Sequence, residues 1–327
     1  IHMCQQLSLI KRPFFLPSFM EDFSKQLPDI EAIVTKQKQR LLSLSNSEWA
    51  DFQFVNRFFF VLDANISELE GTQTFEESEQ ALCPVSSNPT NLSTTHRVTR
   101  NLWDAAIFLF GDIDRSIHSA VDDIASEFTP SLACQLHSIV CRDLLPNPGS
   151  YRLRPARPAN EPDFYYAPPE EISDRLNVLF ANCRAAIRSD SSLLETVHLA
   201  ASFIEQYLAI HPFSDGNGRT ARLLCALLLR PLLLEPVSIC LASSQSRDIF
   251  LRCLREARGP GGHVGLLTAY LLASVDRAVT SWIEWLYCCS RNQELSLVDD
   301  DAADVENGKD GSLFGAAVAN RALFCYS

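Results

Sequence analysis

His211-Pro212-Phe213-Ser214-Asp215-Gly216-Asn217-Gly218-Arg219-Thr220-Ala221-Arg222 packs a base, a carboxylate, two glycines and two arginines into twelve residues. Gly216, Asn217 and Gly218 tolerate positive φ, and consecutive backbone N–H groups in such a turn form an anion-binding nest. The apolar run that follows, from Leu223, makes the segment a tight loop entering a helix, whose N-terminal dipole adds positive potential. Arg219 and Arg222 are three apart, so one helix face carries both toward a common polyphosphate. Asp215 is placed to hold a hard divalent cation, magnesium or manganese, against phosphate oxygens. His211 is a side chain able to accept a proton near neutral pH. Singly, each feature has an ordinary structural reading: a histidine before Pro-Phe, an Asp-Gly turn, a solvated pair of arginines. Their concentration in one loop is what points to chemistry.

Outward from this loop the sequence reads as helix. Ile172, Leu176, Leu179, Cys183 and Ile187 form an apolar stripe at helical spacing after Pro168-Pro169, which suits a helix start. Leu194, Val197, Ala201, Ile204 and Leu208 form a second stripe ending just before His211. Glycine is sparse, at 12 residues, so the expected class is mainly α. Cys83 to Thr99 and Pro146 to Pro169 read as loops, and Pro148 to Tyr166 as an irregular β-hairpin whose prolines confine it to an edge. Gly259 to Thr280 reads as a long connection before Trp282-Ile283-Glu284-Trp285. The acidic stretch after Arg291, with Asp299-Asp300-Asp301, is expected to be disordered.

Composition limits the rest. The chain of 327 residues has 46% hydrophobic residues, enough for a substantial core, and a formal net charge of -12. That charge argues against a general nucleic-acid binder, which needs clustered Lys and Arg. The most apolar stretch, Leu223 to Leu241, is broken by Arg230, Pro231, Glu235 and Pro236, so it belongs in a core rather than a membrane. Eleven cysteines, without a CxxC pair, indicate neither a zinc site nor a disulfide framework. With no signal-peptide pattern after Ile1-His2-Met3, a cytoplasmic location is expected, and the sequons at Asn65 and Asn91 carry no weight.

The twelve-residue segment resembles the signature of the Fic family, His-x-Phe-x-Asp/Glu-Gly-Asn-Gly-Arg-x-x-Arg, with every defining position filled. The resemblance implies a helical bundle in which this loop joins two central helices, with a short β-hairpin flap. It implies transfer of AMP from ATP to a Ser, Thr or Tyr hydroxyl of a target protein, with His211 as catalytic base. Gly216, Asn217, Gly218, Arg219 and Arg222 would bind the nucleotide and Asp215 the metal. Asn65-Ile66-Ser67-Glu68-Leu69-Glu70-Gly71-Thr72-Gln73-Thr74 is similar to the inhibitory-helix stretch of Fic proteins that carry one at the N-terminus. Glu70 would then pair with Arg222 and deny it to the ATP γ-phosphate. Ile66 stands where Ser or Thr is usual. Pro148-Gly149-Ser150-Tyr151-Arg152 with Tyr166-Ala167-Pro168-Pro169 is similar to the flap and the start of the next helix, so Tyr151, Arg152 and Leu153 are expected to dock the target by strand addition.

The implied layout is an N-terminal helical region over 1–81 with an inhibitory helix at about 60–72, a catalytic core over 82–290, and a tail over 291–327. Removal of AMP, phosphoryl transfer, phosphocholine transfer and an idle interaction protein stay open alongside AMP transfer, as does a homodimer.

Overall fold

In the computed structural model the residues described are 21–68, 75–82, 93–111, 124–158, 161, 164–188, 190–239, 244–259 and 262–299. Glu70 and the rest of 69–74 lie outside them, as do 300–327 and most of the stretch from Cys83. The described elements are helical: α1 Glu21–Leu42, α2 Asn46–Glu68, α3 Phe75–Leu82, α4 Thr94–Phe110, α5 Pro130–Val140, α6 Ile172–Ala186, α7 Leu193–Ile210, α8 Asn217–Leu233, α9 Ser244–Arg258 and α10 Gly265–Asp299. Both stripes read from the sequence are helices, α6 and α7, and the twelve-residue segment joins α7 to α8.

Helix α8 is the axis of the bundle. Ala221, Leu223, Leu224, Cys225, Ala226, Leu227, Leu228, Leu229 and Leu233 are all buried, so it is apolar on every side beyond its first turns and must be surrounded. It packs against α7, α5, α4, α2 and α1. Helix α7 starts at a capping box in which Ser192 and Glu195 exchange side-chain and backbone hydrogen bonds. Below it, Phe128, Phe180 and Phe203 form an aromatic cluster with centroids 4.7, 5.0 and 5.3 Å apart. Trp49, Phe52, Trp282 and Trp285 tie α2 to α10 in the same way.

Charge is also buried at the far end of α8. Arg57 on α2 makes a two-pronged contact with Glu235, at 2.7 Å from Nε and 2.8 Å from Nη2, and also donates to the Phe110 carbonyl that ends α4. Gln53 donates a third bond to Glu235 at 2.7 Å. Burial still holds the Glu235 carboxyl above its ordinary range, with Arg57 pulling the other way.

Several expectations need correction. The loop expected over Cys83 to Thr99 ends sooner, because Ser93 accepts from the His96 N–H and caps α4. The connection expected over Gly259 to Thr280 is short, since α10 begins at Gly265 and contains Trp282. No proline or internal glycine interrupts that helix, which continues past Arg291 to Asp299. The β-hairpin flap is not present as strands among the described residues of 148–166. One backbone bond crosses it, from Tyr166 N–H to Ala156 O at 3.2 Å, and Pro155 and Pro158 have no N–H to give. The sequon asparagine Asn65 is buried and donates to Thr99 Oγ1 at 3.0 Å.

Candidate active site

Helix α7 ends on His211, which sits in the left-handed region at φ 53°, ψ 62° while its N–H still bonds Tyr207 O. For a residue with a side chain this conformation costs roughly 1–2 kcal/mol. Arg152 holds it there. Its guanidinium is buried and donates to His211 O at 2.7 Å, Ile210 O at 3.2 Å, Arg154 O at 2.8 Å and Ala167 O. A cation set on the last carbonyls of α7 also complements the negative end of its dipole. The backbone continues the tie, with Arg152 N–H donating to Pro212 O and Ala167 N–H to Ala209 O.

The turn itself is fixed from inside. Asn217 closes it on Phe213, accepting from Phe213 N–H at 3.0 Å and donating to Phe213 O at 2.8 Å. Gly216 has φ 72°, and a Cβ there would stand 2.6 Å from Cys141 Sγ, so both backbone geometry and the α5 surface demand glycine. Gly216 is the N-cap of α8 and offers no side chain to its first N–H groups. Thr220 donates to Gly216 O at 3.0 Å.

His137 on α5 braces this turn, a role that sequence reading missed. Gly149 N–H donates to Nδ1 at 2.7 Å, so Nε2 carries the proton and donates to Asp215 O at 2.9 Å. The ring stacks on Phe213 at 3.7 Å. Burial, first, and the nearby Arg219 hold its pKa below 6.5, while the Asp215 carbonyl opposes them. A buried histidine on an apolar helix face carries no sequence signal of its own.

Of the expected site residues, Asp215 and Arg219 come together. Asp215 projects outward with 68% of its side chain exposed, its Oδ1 accepting from Gly216 N–H at 2.7 Å. Arg219 lies beneath at 6% exposure, its Nη2 3.7 Å from Asp215 Oδ2. Among the described residues Arg219 Nη1 is buried without a hydrogen-bond partner. Arg222 is buried one turn further on, its guanidinium 5.8 Å from the centroid of Phe250 on α9. The three expected flap residues divide: Leu153 is 91% exposed, Tyr151 is half-buried against Phe213, and Arg152 turns inward to clamp His211. Tyr166, from the returning arm, lies flat on the His211 imidazole.

Residues 127–229 match the Fic/DOC family model. The chain carries a Fic-family domain. This family includes AMP transferases and other transferases. The fold agrees with a Fic-domain-containing signaling protein from Bacteroides thetaiotaomicron, at TM-score 0.63 and 22% identity over 78% of this chain and 97% of that one. Fic-1 from C. elegans is similar at TM-score 0.61 and 17% identity, covering 82% and 75%. A Fic family protein from Desulfovibrio desulfuricans aligns at TM-score 0.57 and 17% identity, covering 94% and 86%. A stretch of 35 residues is 60% identical to the ribonucleoside-diphosphate reductase small chain of Ostreid herpesvirus 1 (isolate France). That stretch is 11% of this chain and 6% of that protein, and it assigns no activity. No helix among the described residues is long and apolar enough to cross a membrane.

Proposed function

We propose that this Fic domain transfers AMP from ATP to a Ser, Thr or Tyr hydroxyl of a target protein. The observation that carries the reading is the buried Arg219 guanidinium, with Nη1 unpartnered among the described residues, at the uncapped N-terminus of α8. A buried cation is costly unless it is paired, and an anion seated on the α8 N-terminus would pair it. Polyphosphate is the ligand that also uses the neighbouring Arg222 and the outward Asp215.

In the proposed reaction His211 accepts the hydroxyl proton as the oxygen attacks the α-phosphorus of ATP. The new P–O bond joins AMP to the target, the bond from the α-phosphorus to the bridging oxygen breaks, and pyrophosphate leaves. Gly216, Asn217 and Gly218 with Arg219 hold phosphate oxygens, and Arg222 holds the γ-phosphate. Catalysis then rests on positioning and on electrostatics prepared in advance. Asp215, its carboxylate exposed beside the α8 N-terminus, would hold magnesium or manganese together with water and phosphate oxygens. When bound, the ion would neutralise charge on the phosphates.

Glu70 is proposed as the inhibitory residue. Helix α2, which ends two residues before it, packs on α8, which carries Arg222. Exposed Leu153 and Tyr165 would form the target-facing edge of the flap.

The experiment is intact-mass analysis after incubation with ATP and magnesium, for the wild type and for Glu70→Gly and Asp215→Ala. An AMP adduct on the protein or an added target that grows with Glu70→Gly and vanishes with Asp215→Ala or excess chelator supports the reading. Absence of any adduct from both wild type and Glu70→Gly would overturn it.

A further inference from the structure

The backbone bonds at His211 fix its φ and ψ but leave the two ring torsions to side-chain contacts. Tyr166 supplies one of unusual regularity, its ring centroid 3.8 Å from that of His211 with the planes 6° apart. Tyr166 is itself held on several sides. Its N–H bonds Ala156 O, and the next residue is tied by Ala167 N–H to Ala209 O and by Arg152 to Ala167 O. Its ring meets Phe164 edge-on at 5.7 Å, and the Arg258 guanidinium of α9 covers Phe164 at 4.8 Å. Arg258 is in turn drawn toward Glu205 of α7 at 3.8 Å. The result is a continuous layer, Arg258, Phe164, Tyr166, His211, running from α9 to the proposed base.

We infer that Tyr166 is a positioning residue for His211, with Phe164 and Arg258 as its backing. This inference rests on the reading of His211 as the base. The stack fixes the plane in which the imidazole nitrogen meets the target hydroxyl, and misplacement of a reacting group by about 1 Å can cost on the order of a hundredfold in rate. The aromatic face also favours the imidazolium formed once the proton is taken. The phenol oxygen has no assigned part, so a phenylalanine should serve as well.

The test uses the full chain with Tyr166→Leu, Tyr166→Phe and Arg258→Met, all first checked for native helicity and melting. Carbon-edited proton NMR of the imidazoles, with His211 assigned from its loss in His211→Ala, reads the stack directly through the ring current of Tyr166. The His211 resonances should sit upfield in the wild type and in Tyr166→Phe, move downfield in Tyr166→Leu, and move partway in Arg258→Met. In ATP-dependent labelling, Tyr166→Leu should lower kcat about ten- to a hundredfold with little change in KM for ATP, and Tyr166→Phe should recover most of it. Unmoved resonances in Tyr166→Leu, a Tyr166→Phe variant as poor as Tyr166→Leu, or an effect confined to KM would each overturn the inference. Should neither the wild type nor Glu70→Gly label anything, AMP transfer fails as a reading while the resonances alone decide the stack.

Discussion

The two ends of α8 both bury arginine, and they do so in opposite ways. At the C-terminal end Arg57 is enclosed by Glu235, Gln53 and the Phe110 carbonyl, so its charge is answered within the protein. At the N-terminal end Arg219 meets, among the described residues, only a 3.7 Å approach from an exposed Asp215, beside the uncapped first turn of α8 and a strained histidine. A closed cluster holds helices together, whereas an open one keeps binding capacity in reserve at some expense in stability.

The largest expected effect breaks the open end. His211→Ala should lower transfer by roughly a hundredfold to ten-thousandfold, the range for losing a general base, while the melting temperature changes little. Steady-state labelling and a thermal melt check both halves of that statement. Next in size, Arg57→Ala should destabilise the fold by about 3–5 kcal/mol, because it strands Glu235 as a buried unpaired carboxylate. Urea unfolding at neutral pH measures it. Arg219→Met sharpens the contrast: removing this cation should cost less than about 1 kcal/mol or stabilise, yet weaken ATP binding in calorimetry. Equal destabilisation by Arg57→Ala and Arg219→Met would erase the distinction.

The smallest effect concerns pH. Burial depresses the pKa values of His137 and His198 below 6.5. The unfolded chain therefore takes up protons before the folded one as pH falls. The stability contributed by these neutral histidines is fully present above pH 6.5 and is lost as pH falls through their folded values. Melting temperatures from pH 8 to pH 5 should decline at the acid end, and His137→Gln, which keeps a donor and an acceptor, should decline less.

The central helices and their loop were legible because two independent signals met there: apolar stripes at helical spacing and a polar cluster too dense for an ordinary turn. Other parts were hidden for physical reasons. Ser93 belongs to a Ser-Thr run that reads as loop, yet its hydroxyl caps α4, and caps and loops share the same residues. Helix α10 packs on α7, α9 and α1 and sets exposed Glu284 and Tyr287 between buried Trp282, Trp285 and Leu286, which dilutes its stripe. The flap's prolines were visible, and their consequence, a single crossing bond in place of a ladder, follows from the lost donors. Arg152 was legible as a flap residue but not as the clamp on His211, and His137 and Tyr166 act through ring contacts made only after folding. Such contacts join residues 76 positions apart, His137 and Phe213, and 45 apart, Tyr166 and His211, separations no local pattern encodes.

The most direct test of the account follows the label. Wild-type protein and Glu70→Gly are incubated with magnesium and ATP carrying radiolabel at either the α- or the γ-phosphate, with His211→Ala as control. The account predicts protein-bound label from the α position alone, stronger for Glu70→Gly and at least about a hundredfold slower to appear for His211→Ala; label from the γ position, or α-label that His211→Ala acquires at the wild-type rate, would contradict it.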